Sequence, residues 1–250
     1  MKYIKNIEDF NPDIFGEDDW EEFEPDGTFL TWLKFYYPNE SEWDNITEID
    51  CSNQVMTLDG IEQLKRLKSL KCSGNHLTNL NGIENLTNLK EIYCNNNQLT
   101  ELNLKNLNKL KYLYCQSNNL TELNLVNLKY MIELYCWDNQ LTSLNGLKNL
   151  RNLETLYCNN NQLTKLNGIE NLSNLKEFSC SNNQLTNLNG IENLRNLTDL
   201  YCHHNQLTNL NGIEDLYYLE YLFCSYNHFG QKEKERIKQY CEENNIYLEI

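Results

Sequence analysis

The cysteines of this chain arrive on a nearly constant period. They stand at Cys51, Cys72, Cys94, Cys115, Cys136, Cys158, Cys180, Cys202 and Cys224, spaced by 21 or 22 residues, with Cys241 out of step after 17. Three residues after each cysteine from Cys72 to Cys224 comes an asparagine, from Asn75 to Asn227. Two residues before them stand Ile49, Leu70, Ile92, Leu113, Leu134, Leu156, Phe178, Leu200 and Leu222. Self-similarity at this period means stacked supersecondary units, so length alone does not set a domain count.

Within a unit, alternation around Ile92-Tyr93-Cys94 puts Ile92 and Cys94 on one side and Glu91, Tyr93 and Asn95 on the other. That is the pattern of a strand of four to five residues with one buried face. Such a strand cannot bury its apolar side alone, whereas parallel copies bury it against the preceding rung. The asparagine follows where the chain leaves the strand and its backbone groups lose the ladder. An Asn side chain both donates and accepts, so a column of them can bridge consecutive turns.

The stretch LKEIYCNNNQLTELN (89–103) and its copies resemble the leucine-rich repeat family. The 22-residue unit with its LNGIENLTNL segment (80–89) is similar to the internalin-like and phosphatase-regulator-like classes, with Cys in place of the last strand leucine. Cysteine-bearing repeats of this kind resemble those of large DNA viruses and some bacteria. The resemblance implies an α/β repeat solenoid: a curved right-handed coil with a parallel β-sheet on its concave face. Two units, ELNLKNL (101–107) and ELNLVNL (122–128), lack the Asn-Gly turn and are expected to be tighter on the convex side.

A stacked array leaves an apolar cross-section at each end, which calls for caps. Residues 1–42 are read as an acidic capping segment with a helix near 28–37, where Phe29, Leu30, Leu33 and Tyr36 share a helical face before Pro38. Residues 43–229 form nine rungs of 21–22 residues. Residues 230–250 are read as a C-terminal cap, with Ile237, Tyr240 and Cys241 on one helical face and IYLEI (246–250) as a last strand.

Three readings exist for the cysteines. A disulfide framework suits small exported proteins, and in-register side chains point the same way rather than at one another. A metal cluster wants C-x-x-C spacing, which does not occur. The third reading, free thiols as small buried hydrophobes, fits the register best and implies a reducing compartment. No apolar run exceeds four residues and the start, MKYIKNIEDFNPD, has no apolar core of a signal peptide, so the expectation is a cytoplasmic protein without membrane contact.

A net charge of −15 argues against a nucleic-acid partner. Residues 1–42 hold twelve acids and three bases, and the run EDDWEEFEPDG (17–27) reads either as a solvated loop or as a lure for a basic partner. Glycines sit singly at Asn-Gly turns rather than in a phosphate loop, and the four histidines assemble with no nucleophile. The expectation is a non-enzyme with no cofactor and no metal.

The outward side of the strands is more informative. One residue before the cysteines lie Asp50, Lys71, Tyr93, Tyr114, Tyr135, Tyr157, Ser179, Tyr201 and Phe223, and two residues further back lie Tyr112, Glu133, Glu177, Asp199 and Tyr221 among others. Trp137 and His203 follow their cysteines directly. The tyrosines can be a structural ladder copied with the repeat, or anchors for a partner. The candidate partner-binding set is Tyr93, Tyr112, Tyr114, Glu133, Tyr135, Trp137, Tyr157, Asp199, Tyr201, His203, Tyr221 and Phe223. Together with the family resemblance it implies a monomeric protein–protein interaction scaffold for a partner carrying Lys or Arg. The rival readings are a secreted or surface adhesin or effector of internalin type, and a structural component such as a virion protein.

Overall fold

The computed structural model describes residues 27–250, so the acidic N-terminal residues 1–26, including most of the run at 17–27, lie outside the described residues. Ten three-residue strands form one sheet: β1 (Glu48–Asp50), β2 (Ser69–Lys71), β3 (Glu91–Tyr93), β4 (Tyr112–Tyr114), β5 (Glu133–Tyr135), β6 (Thr155–Tyr157), β7 (Glu177–Ser179), β8 (Asp199–Tyr201), β9 (Tyr221–Phe223) and β10 (Tyr247–Glu249). They pair in sequence order, and neighbouring repeats are in register, Ile92 beside Leu113 and Leu113 beside Leu134. All the pairings are parallel, as a coil with one strand per turn requires.

The strands are shorter than the four to five residues expected, although backbone bonds between rungs continue beyond them. Two residues after each rung cysteine the chain enters the left-handed region: Asn53, Gly74, Asn96, Ser117, Asp138, Asn160, Asn182, His204 and Tyr226 all have φ between 52° and 68°. Asn, Asp and Gly tolerate this conformation best. Pairing survives the kink, because the Asn96 N–H still donates to Gln116 O at 3.0 Å and the Ser117 N–H to Trp137 O at 3.0 Å. The kink turns the chain off the sheet in every rung at the same place.

Just past the kink, the asparagine column closes the interior. Asn97 Nδ2 donates to Cys94 O of its own rung and to Cys72 O of the preceding one, both at 3.0 Å, while Oδ1 accepts the Leu77 N–H at 3.0 Å. The pattern recurs through Asn227, which takes the Leu207 N–H at 3.0 Å and donates to Cys202 O and Cys224 O. Five short 3-10 turns on the far side, such as Ile83–Asn85 and Ile191–Asn193, return the chain to the next strand. The rungs at 101–107 and 122–128 carry none. Gly82 shows why an Asn-Gly turn leads in: it precedes Ile83–Asn85 with a φ of +99°, and a Cβ there would stand 2.9 Å from Ile61 Cγ2.

All ten cysteines are buried free thiols, the rung set lying within a continuous core of Leu, Ile and Phe columns. Burial pushes the thiols of Cys94 and Cys180 up to about 12. A thiolate is the reactive form, so an aromatic disulfide reagent is expected to label none of the rung thiols in native protein and all of them in denaturant. Rapid native labelling of several would contradict the packing.

Helix α1 (Phe29–Tyr36) begins at Thr28, whose Oγ1 accepts the Thr31 N–H, and buries Phe29, Trp32 and Leu33. Its contacts with the first rung include Trp32 Nε1 to Gln54 Oε1 at 2.7 Å and the Leu30 N–H to Asp59 O at 2.9 Å. Helix α2 (Gln231–Glu243) buries Ile237 and Cys241, and Tyr240 donates to Ile213 O at 3.0 Å. Glu233 of α2 accepts the Leu210 N–H at 2.9 Å and pairs with Arg236, which also meets Glu214. No helix among the described residues is long and apolar enough to cross a membrane.

Candidate functional site

In-register parallel pairing lines up the outward residues of β3 to β9, so side chains 21–22 residues apart become neighbours. Tyr93 stacks on Tyr114 with ring centroids 4.5 Å apart and planes 6° apart, and Tyr114 on Tyr135 at 4.8 Å and 22°. Tyr135 meets Tyr157 edge-on at 4.9 Å and 75°. A second stack joins Tyr201 to Phe223 at 4.8 Å and 11°. Between the stacks stands Ser179. The rings therefore form a structural ladder, half-buried by one another, and also the inner wall of the coil.

Two phenols reach forward to carboxylates of the next rung: Tyr114 donates to Glu133 Oε2 at 2.5 Å and Tyr157 to Glu177 Oε2 at 2.8 Å. Burial, and then these bonds to an anionic acceptor, raise both phenols well above the ordinary value, so they remain donors through the physiological range. Burial likewise raises Tyr93, Tyr135 and Tyr201, with nearby carboxylates adding to it. Glu91 accepts from Ser69 Oγ at 2.9 Å and Asp199 from Thr198 Oγ1 at 2.6 Å. The four ion pairs among the described residues lie elsewhere, so Glu91, Glu133, Glu177 and Asp199, in one column with Tyr112 and Thr155, have neutral donors and no ion pair, while Lys71 lies over the Tyr93 ring at 5.8 Å at the start of the ladder.

Beside the tyrosines runs the column that directly follows the cysteines. His203 Nδ1 lies 3.0 Å from Ser181 Oγ, and burial, with His204 alongside, holds its imidazole below the ordinary value and hence neutral at neutral pH. At the left-handed kink, His204 and Tyr226 stack at 4.2 Å and 7°. A cavity of about 240 Å³ opens at the break in the ladder, lined by Trp137, Tyr157, Asn159, Ser179, Ser181, Asn182, Tyr201 and His203. Among the described residues no group of three or more His, Cys, Asp or Glu side chains is placed to hold a metal ion.

All twelve residues singled out in the sequence lie on this one face, in two groups. Tyr93, Tyr112, Tyr114, Glu133, Tyr135 and Trp137 are on or directly after β3 to β5; Asp199, Tyr201, His203, Tyr221 and Phe223 are on or after β8 and β9; Tyr157 borders the break between them. The sequence reading missed Ser179, Ser181, Asn159 and Asn182, which complete the cavity. The available signal was the small residue at 179 in an otherwise aromatic run.

Comparison with known proteins places these features in a family. The model described as Leucine Rich repeats (2 copies) matches residues 65–107, 131–173 and 173–217. Among solved structures, an internalin from Listeria monocytogenes superposes with a TM-score of 0.73 at 27% identity over 75% of this chain and 56% of its own. A leucine-rich-repeat protein of Leptospira interrogans gives 0.67 at 28% identity, over 80% and 60%. The functional domain of InlJ from Listeria monocytogenes, described as including a cysteine ladder, gives 0.62 at 30% identity, over 77% and 47%. The chain thus spans between about half and three-fifths of the length of these proteins. No curated protein matches it in sequence.

Proposed function

Because the chain belongs to the leucine-rich-repeat family, we propose that it is a non-enzymatic interaction scaffold that binds a protein partner on its concave face. The observation that supports this most directly is the juxtaposition, on one surface, of stacked aromatic rings with carboxylates that make no ion pair. Half-exposed Tyr and Trp supply contact area at low entropic cost, and the anionic file favours a partner presenting Lys or Arg. A phosphate backbone is disfavoured by the same charges and by the net −15 of the chain. The proposed site comprises the twelve named residues, the proposed state is a monomer, and the proposed compartment is the cytoplasm, in keeping with ten unbridged thiols.

Likeness to internalins favours a second reading, a secreted or surface-attached binding protein. Fractionation of the native cell, with the protein followed by antibody, separates the two. The binding reading itself is tested by Tyr135→Ala with Trp137→Ala. Both side chains project from the sheet and neither fills the leucine core, so the circular-dichroism spectrum is expected to be unchanged. Loss of two aromatic anchors is expected to weaken a partner identified by affinity capture by about 30-fold or more. Undiminished capture by the double variant would remove the central concave site.

A further inference from the structure

Ser179 is the one position from β3 to β9 where the inner column drops from an aromatic ring to a small side chain. Its flanking rings, Tyr157 and Tyr201, stand two rungs apart, roughly 10 Å by strand spacing, whereas adjacent rings of the ladder are 4.5–4.9 Å apart. A gap of that width takes one further planar group. The floor is polar, with Ser179 and Ser181 both buried and Ser181 Oγ held beside His203 Nδ1. Two carboxylates stand outside the cavity lining, one outward position back along the strands: Glu177 on the same strand as Ser179, receiving the Tyr157 hydroxyl, and Asp199 in register with it on the next strand. Neither has a cationic partner among the described residues.

Planarity, positive charge and several divergent donors are required together, and they select among side chains. A lysine ammonium can sit over one ring, as Lys71 does over Tyr93 at 5.8 Å, but it is a compact, strongly hydrated point charge with no plane to lie between two rings; a neutral aromatic ring leaves the carboxylates unanswered. A guanidinium is flat, weakly hydrated and carries five N–H donors. We propose that the break in the ladder is an arginine receptor: one arginine of the protein partner inserts its guanidinium over Ser179 between Tyr157 and Tyr201, with its N–H groups directed to Glu177 and Asp199. This rests on the concave-face reading above and names the anchor within it.

The peptide acetyl-Gly-Arg-Gly-amide, titrated into the full chain with side-chain resonances followed by NMR, tests this directly. Saturable shifts at Tyr157, Tyr201 and Trp137 are expected, at least about fivefold weaker with lysine in place of arginine and absent with the neutral isostere citrulline. Ser179→Tyr restores the residue that five other rungs carry, so the ladder closes and the peptide is expected to bind at least about tenfold more weakly. Glu177→Gln keeps the acceptor for Tyr157 and removes only charge, and a weakening of about fivefold is expected there, whatever the folding of the first variant. Equal binding of the arginine and citrulline peptides, shifts confined to Tyr93 and Tyr114, or undiminished binding by Glu177→Gln would overturn the receptor. Partner capture that is lost in the Tyr135/Trp137 double variant but intact in Ser179→Tyr would also sink it while leaving the concave-face reading standing. Arginine-peptide binding together with capture indifferent to the double variant would keep the receptor and remove Tyr135 and Trp137 from the partner's footprint.

Discussion

Raising the pH from about 9 to about 12 is expected to destabilise this protein progressively and to unfold it cooperatively within that range. The cause is the thiol column. In the folded chain, burial pushes Cys94, Cys180 and Cys224 up to about 12 from an ordinary value of 9.0, and raises the other rung thiols in the same direction. Below the unfolded value both states keep their protons and the stabilisation is fully present. Above it the unfolded chain releases protons that the folded chain retains, so stability declines until the folded thiols ionise as well. At about pH 10 one such thiol costs about 1.4 kcal/mol. The other rung thiols act in the same direction, and an ordinary domain has only about 5–15 kcal/mol to lose. The buried phenols push the same way at higher pH. Urea midpoints measured across this range, alongside thiolate absorbance, provide the check. Thiolate signal growing while the circular-dichroism spectrum holds would show that the sulfurs are accessible and the argument wrong.

Replacing Asn161 with alanine is expected to lower the unfolding free energy by about 2–4 kcal/mol. Its Nδ2 donates to Cys136 O and Cys158 O at 3.1 Å and to Asn159 O at 3.2 Å, and its Oδ1 accepts the Leu141 N–H at 2.8 Å. The losses are unequal. Cys136 O keeps Asn139 Nδ2 and Cys158 O keeps Asn183 Nδ2, so neither carbonyl is stranded. The Leu141 N–H has no second partner, and a buried donor left unmade costs far more than the net value of one hydrogen bond. Denaturant titration reads the change. A loss under about 1 kcal/mol would mean that water reaches Leu141 and that the amide column is less dry than its geometry indicates.

The period, the parallel register and the task of the asparagines were legible in the sequence because each depends on a residue type that hardly varies. Cys, Leu and Asn recur in phase, and an amide that both donates and accepts suits a place where ladders end. The kink after the strand was not legible, since nine rungs fill it with Asn, Gly, Asp, Ser, His and Tyr. What is constant there is a backbone angle, and Ser117, His204 and Tyr226 hide it. The same limit applied to the concave face. Alternation puts Tyr114 and Tyr157 on that side, but their bonds to Glu133 and Glu177 join different columns of successive rungs. Ser179 is one small residue in an outward column of rings, and the cavity beside it follows only from where Tyr157 and Tyr201 stand.

The asparagines three residues after the cysteines all reach back one rung and never forward, which gives the coil a direction of growth. On a ribosome, the newest turn always has an open amide, sealed only when the asparagine about one repeat later emerges. Elongation is thus a zip that locks one tooth behind its slider. Asn227 sets the last tooth, after which the chain runs into α2 instead of another rung.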